Sequence, residues 1–373
     1  MKTKSAKLRV LVVGCGRMGS SHAKAYRDIG EFEIVGLVSR KPETREAVNK
    51  ALGGGHALFS SFARALKATR PDVVSINTYP DTHEEYAIRS FEAGAHVFVE
   101  KPIAPTLEAA RRVVQAAKAS RRKLVVGYTL RHHPSWKKFI AIARTLGKPL
   151  VMRMNLNQQL AGAPWEGAKN LLLSASPIVD CGVHYVDVMC QMTDARPVRV
   201  SAIGARLSGE ISTRMYNYGQ LQVVFDDGSV GWYEAGWGPM ISETAFFVKD
   251  VIGPKGCVSI APAPTGAGAR SGDMSTHART DALRVHYAKL NRARGYARAD
   301  RIVDLRGEPD HDGLCRLEQR YVLKAIRDDV DLSRHMDDAL SSLEIVLAAD
   351  ESVRTGRTVE LNAAARVRAR KAQ

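Results

Sequence analysis

The stretch VLVVGCGRMGSSHAKA runs from Val10 to Ala25. An apolar run of strand character ends at Gly14, and Gly14, Gly16 and Gly19 then fall in G-x-G-x-x-G spacing at the head of a helical segment. The spacing alone is weak, but a strand before it and a helix after it supply the context that gives it meaning. Gly14 permits the tight turn. Gly16 lets main chain approach a pyrophosphate, which sits on the positive helix N-terminus with Arg17 and Met18 beside it. Gly19 allows close packing of helix on strand. A dinucleotide-binding, doubly wound parallel sheet is the fold this stretch predicts.

The surrounding chain agrees. Strands are predicted at 7–13, 32–40, 71–78, 95–100 and 123–131, with helices over 19–30, 43–52, 60–69, 82–94 and 106–120. Continuous apolar strands alternating with helices indicate a parallel sheet covered on both faces. After about residue 148 the strand-like runs are closely spaced, with Asp226-Asp227-Gly228-Ser229 and Gly253-Pro254-Lys255-Gly256 as hairpin turns. That predicts an α+β second domain built on a large, mostly antiparallel open sheet. The Ala-, Gly- and Arg-rich segment 261–300 is expected to be irregular, and helices are expected near 313–328 and 337–355. The resulting division is a Rossmann domain over 1–130, an α+β domain over 131–360 and a flexible basic tail over 361–373.

Composition bounds the partners. The 373 residues are too many for one ordinary core. Apolar runs fall short of the roughly 20 residues that span a bilayer, so no membrane partner is expected. The basic N-terminus leads straight into a strand with no apolar signal-peptide core. Five scattered cysteines form no C-x-x-C pair, which reads as reduced thiols in a cytoplasmic protein without structural zinc. The formal net charge is +16, but the basic residues are spread out and lack interleaved aromatics, so nucleic acid is not an expected partner.

Two further patterns carry chemistry. Near the end of the second strand, where an acidic residue would hold the ribose hydroxyl of NAD, the chain has Ser39-Arg40-Lys41. A hydroxyl and two cations suit a 2′-phosphate, so the cofactor reading is NAD(P) with NADP favoured; Arg40 stacked on adenine is the reading compatible with NAD. Farther on, the strand His96-Val97-Phe98-Val99 ends on Glu100-Lys101-Pro102. A lysine held at the carboxyl end of a parallel strand can polarise a hydroxyl or carbonyl oxygen. In SPIVDCGVHYVDVMCQMT (176–193), Ser176 and Pro177 fit an N-cap and first helical position. Asp180, His184 and Asp187 then share one helical face. An Asp one turn before a His can orient the imidazole for proton transfer. Read alone, the stretch fits local capping as well, and zinc would need a third ligand that is not evident.

G-x-G-x-x-G, then E-K-P at a later strand end, then D-x-G-x-H-x-x-D opening a second domain resembles the Gfo/Idh/MocA oxidoreductases over roughly residues 7–360. The resemblance implies Lys101, Asp180 and His184 as catalytic residues. It implies that Glu100 and the NTYPDTH loop, through Asn77, Pro80 and His83, lie against the cofactor, and that Arg131 and Asp187 border the substrate. It implies hydride transfer to or from a sugar, polyol or sugar derivative, and a homodimer or homotetramer built on the open sheet. Two rivals are redox-assisted cleavage of a glycoside and a non-catalytic dinucleotide- or sugar-sensing regulator; a regulator would tend to lose the Lys or the His, and both are present. Many relatives carry a Gly pair before D-x-G-x-H; Ser174-Ala175-Ser176-Pro177 stands here, and side chains there are expected to narrow or re-aim the pocket floor.

Overall fold

Val10–Val13 is wholly buried, as a central strand of a two-face-covered sheet must be. The computed structural model describes residues 6–242, 248–261, 271–273 and 277–361. In it β1 (Leu8–Val13), β2 (Phe32–Val38), β3 (Leu58–Phe59), β4 (Val73–Ile76), β5 (His96–Val99) and β6 (Leu124–Val126) form one sheet in the order β3-β2-β1-β4-β5-β6. Every pairing in it is parallel. The connecting helices are α1 (Arg17–Ile29), α2 (Pro42–Ala51), α3 (Phe62–Thr69), α4 (His83–Glu92) and α5 (Leu107–Ser120). Strand order reverses between β1 and β4, the switch point at which such sheets bind ligands. The strand predicted over 123–131 stops at Val126, because the Tyr128 N–H turns back to the Val126 carbonyl at 2.8 Å. The two-residue β3 was too short to carry a period.

The chain divides into two compact units. One runs to His132 and takes in Pro309–Leu340; the other holds His133–Glu308 and the chain from Ser341 onward. The return of 309–340 to the first unit was not foreseen from the sequence.

The second unit is built on nine strands, β7 (Val151–Gln159), β8 (Pro197–Ala205), β9 (Tyr218–Phe225), β10 (Val230–Gly238), β11 (Lys249–Gly253), β12 (Gly256–Ala261), β13 (Ala282–Tyr287), β14 (Arg301–Asp304) and β15 (Val359–Glu360). Their order is β14-β13-β12-β11-β7-β10-β9-β8-β15. Only β7 with β10 is parallel among the described pairs. Both predicted hairpins form, β9 with β10 and β11 with β12. The segment expected to be irregular contains β13, whose Leu283 and Val285 point inward while Arg284 points out. The alternation was hidden by the arginine-rich flanks; residues 262–270 and 274–276 of that segment lie outside the described ones, as does the tail from 362. Helices α6 (Pro134–Ala143), α7 (Ala163–Leu171), α8 (Pro177–Asp180) and α9 (Gly182–Thr193) belong to this unit. Helices α10 (His311–Arg327) and α11 (Ser333–Thr355) follow. The single helix expected over 176–193 is two, split at Cys181, with the His184 N–H reaching the Cys181 carbonyl at 3.2 Å.

Candidate active site

Register assembles the first half of the site. Val13 pairs with Val38 and with Ile76, and Ile76 pairs with Val99. Gly14, Ser39, Asn77 and Glu100 each follow one of these residues, so four positions expected to be functional share one sheet edge without any help from side chains. Gly14 has φ +88°, and a Cβ on it would stand 2.5 Å from the Asn77 carbonyl oxygen. A Cβ on Gly19 would stand 1.8 Å from the Gly14 oxygen. Gly16, the N-cap of α1, has nothing within 4 Å of its Cβ position, and no side chain caps the helix. The first turn therefore offers bare N–H groups in open space, the cradle a pyrophosphate needs, with Arg17 at N1 and Met18 following. Asn77 is buried, its amide donating to the Val13 and Ser75 carbonyls. After β2, Ser39 Oγ meets Thr44 Oγ1 at 2.7 Å, Arg45 donates to the Ser39 carbonyl at 2.8 Å, and Arg40 is exposed.

Pro80 opens a short 3-10 turn that leads into His83. The resemblance sets His83 against the cofactor, but its ring is wholly buried and faces two main-chain carbonyls, Pro102 at 2.9 Å and Thr78 at 3.0 Å. It ties the 78–82 loop to the turn after Lys101, and burial holds its pKa below the ordinary value. The Lys101–Pro102 peptide is cis. The Lys101 N–H donates to Glu100 Oε2 at 3.2 Å, and Glu100 Oε1 faces His22 Nε2 at 2.8 Å. Arg131 stands after β6, donating to Asp338 at 2.8 Å with its guanidinium over the Tyr128 ring.

The second unit presents a helix face. Ser176 caps α8 as predicted, accepting from the Val179 N–H at 3.1 Å. Its side chain is not on a pocket floor: it is fully buried, and it and Tyr216 both donate to Asp350 Oδ1. Burial raises the Asp350 pKa. Along α8 and α9 most residues are buried, whereas Asp180, Cys181 and His184 are partly open. Asp187 is wholly buried and accepts from Gln191 at 2.9 Å. A Cβ on Gly182 would stand 2.9 Å from the Tyr233 ring, so this glycine lets α9 lie close on β10.

Sequence reasoning missed a cluster beside that face. Lys249 is 5% exposed, donates to the His277 carbonyl at 2.9 Å and lies over the Trp136 and Tyr185 rings. Burial pulls its pKa down to about 7, within reach of proton exchange near neutrality. Gln158 links His277 at 3.0 Å to the Cys181 thiol. The signal was the alternation in β11, which sets Lys249 on the same inward face as Val251. In the first unit His22, which bonds Glu100, and its neighbours Glu318 and Gln319 were missed, since nothing local marks the grouping. Among the described residues no group of three or more His, Cys, Asp or Glu is placed to hold a metal ion, and no helix is long and apolar enough to cross a membrane.

Residues 8–128 match a family model described as "Oxidoreductase family, NAD-binding Rossmann fold", and residues 137–256 match the "GFO/IDH/MocA C-terminal domain". The chain is 26% identical to scyllo-inositol 2-dehydrogenase (NAD(+)) of Bacillus subtilis, covering 95% of this chain and 96% of that one. It is 29% identical to inositol 2-dehydrogenase of Paracoccus denitrificans, over 50% of this chain and 54% of the relative, so the match spans about half the length of that protein. An oxidoreductase from Agrobacterium radiobacter, solved with NAD+, L-tartaric acid and magnesium, superposes with a TM-score of 0.77 at 17% identity, over 96% of this chain and all of that one. At that identity the likeness shows the fold alone.

Proposed function

The chain belongs to the Gfo/Idh/MocA oxidoreductase family, and from that premise we propose that it transfers a hydride between a nicotinamide dinucleotide and a carbinol or keto carbon of a sugar, polyol or sugar derivative. The observation that carries the reading is the edge of the parallel sheet, where a bare helix N-terminus, Asn77, Glu100 and Lys101 follow in register. Gly14, Gly16, Arg17, Met18 and Gly19 hold the pyrophosphate, Asn77, Pro80 and Glu100 line the nicotinamide half, and Ser39 with Arg40 receives the ribose end. Arg45, clamped on the Ser39 carbonyl, adds a third cation and supports NADP as the preferred cofactor.

A bound nicotinamide supplies the hydride acceptor or donor. His184 takes the hydroxyl proton as the alcohol is oxidised, and returns it in the reverse direction. Asp180, one turn earlier, orients the ring and stabilises its charged form. Lys101 stabilises the alkoxide that develops on the substrate oxygen. Arg131, which donates to Asp338, is assigned to the remaining substrate hydroxyls; Asp187, expected there too, is wholly buried and bonded to Gln191, which sets it apart from a substrate. A homodimer or homotetramer fits the second unit, whose sheet carries the exposed apolar row Val230, Val151 and Ile252.

The test is a panel of inositols, glucosides and oxo-sugars, read by absorbance at the nicotinamide band. Lys101→Met and His184→Ala should each abolish turnover on any substrate the wild type accepts while NADH or NADPH still binds. Turnover near wild type in either variant would refute the assignment.

A further inference from the structure

Helices α1 and α10 meet behind the end of β5, where Gln319 touches a residue 297 positions earlier in the chain. The hydrogen bonds there fix one another in direction. The Tyr26 hydroxyl donates to Gln319 Oε1 at 2.7 Å. With its oxygen engaged, Gln319 turns its amide nitrogen to His22 Nδ1 at 2.9 Å. Nδ1 is then the acceptor, so the ring proton sits on Nε2 and is donated to Glu100 Oε1 at 2.8 Å. The other Glu100 oxygen accepts the Lys101 main-chain N–H. Gly127 makes room for this carboxylate, since a Cβ there would stand 3.2 Å from Glu100 Oε2.

Glu318 completes the arrangement. It is fully buried, and neither carboxyl oxygen has a hydrogen-bond partner among the described residues. Its Oε2 lies 4.0 Å from the same His22 Nε2. The titratable groups facing it are His22 and Tyr26 from α1, Glu100 from the end of β5, and Cys315 one turn back on α10. Burial first, and the Glu100 charge second, hold its pKa well above the usual carboxyl range. It stands beside the imidazole, while Glu100 Oε1 takes the Nε2 proton at the shorter distance of 2.8 Å. A buried acid whose oxygens find no hydrogen bond among the described residues calls for an explanation, and the His22–Glu100 pair beside it supplies one.

We propose that His22, seated by Gln319 and flanked by Glu318, is a positioning residue for the reaction: it anchors the Glu100 carboxylate beneath the cofactor edge and thereby fixes the main chain at Lys101, which makes α10 a support of the cofactor site. This rests on the dinucleotide reading of that edge.

The test pairs thermal unfolding from pH 4.5 to 9 with NADH and NADPH fluorescence titrations on the full chain. A folded-state carboxyl that keeps its proton above the unfolded value makes stability fall as pH rises between the two. Glu318→Gln removes that slope, so its Tm should exceed that of wild type by a margin that widens from about pH 4.5 upward. His22→Leu should weaken dinucleotide binding about tenfold, the size expected for losing a hydrogen bond to a charged group. His22→Gln, which keeps a donor toward Glu100, should recover most of it. If His22→Leu fails to fold, Gln319→Leu is read in the same titration and should weaken binding in the same direction. Parallel Tm profiles for wild type and Glu318→Gln, or wild-type affinity in the folded His22 or Gln319 variant, would overturn the proposal. A wild type that binds neither dinucleotide would instead overturn the cofactor reading, and the positioning role with it.

Discussion

In the first unit, Gly14, Ser39, Asn77 and Glu100 each stand one residue past the last paired residue of a parallel strand. In the second, Asp180 ends α8 and His184 stands in the first turn of α9, and the entry to this helix pair is secured by side chains, with Ser176 bonded to Asp350 and to the Val179 N–H. The first arrangement is a property of main-chain register. The second is a property of a cap and a buried polar contact. The two should therefore fail differently: the sheet edge through changes that move backbone, the helix face through loss of single polar groups.

The largest effect expected on these grounds is Gly19→Ala. Its Cβ, placed rigidly by the main chain, would come within 1.8 Å of the Gly14 main-chain oxygen, and neither can give way without moving the turn. Destabilisation of about 3 kcal/mol in denaturant unfolding and loss of dinucleotide binding should follow. Gly16→Ala is the internal contrast. Its Cβ meets nothing within 4 Å, so stability should hold within about 0.5 kcal/mol while binding weakens, because the added methyl fills the anion cradle. A tolerated Gly19→Ala beside a destabilising Gly16→Ala would break the account of the edge.

The same contrast explains what the sequence disclosed. Strand, glycine turn and helix are local, so the Gly14-Gly16-Gly19 turn between β1 and α1 was legible from spacing. Ser176 was legible as a cap, but its bond to Asp350 was not, since 174 residues separate them. His22 lies inside the stretch that decided the fold, yet its two partners come from β5 and α10, and periodicity carries no information about that pairing. The return of 309–340 to the first unit was hidden for the same reason: an amphipathic helix announces a buried face without naming the core it enters. That core is Val10, Tyr26 and Phe32, which Val322 and Ala325 of α10 join.

Ser176→Ala sharpens the comparison from the other side. It removes the cap on α8 and one of the two hydroxyls donating to the buried Asp350. Loss of about 1–2 kcal/mol is expected, the range measured for helix caps. Turnover should fall with it, because α8 carries Asp180, while NADH and NADPH affinity stay at wild type. Loss of dinucleotide affinity in Ser176→Ala would show that the two regions are not separable in this way.

Arg40→Ala should have the smallest structural effect and is for that reason the cleanest probe of selectivity. The guanidinium is exposed, and the turn around it is held by Arg45 on the Ser39 carbonyl and by Thr44 on the Ser39 hydroxyl, neither of which the substitution touches. Stability should stay within about 0.5 kcal/mol. If Arg40 serves a 2′-phosphate, NADPH affinity falls about tenfold, roughly 1.4 kcal/mol, and the loss shrinks with added salt, as an exposed charge pair requires. NADH affinity should hold within about twofold on the same grounds, since its ribose offers no charge to pair. An equal loss for both dinucleotides would mean that Arg40 stacks on the adenine they share. The edge would then owe its cofactor to main-chain register alone, and the basic residues after β2 would carry no choice between NAD and NADP.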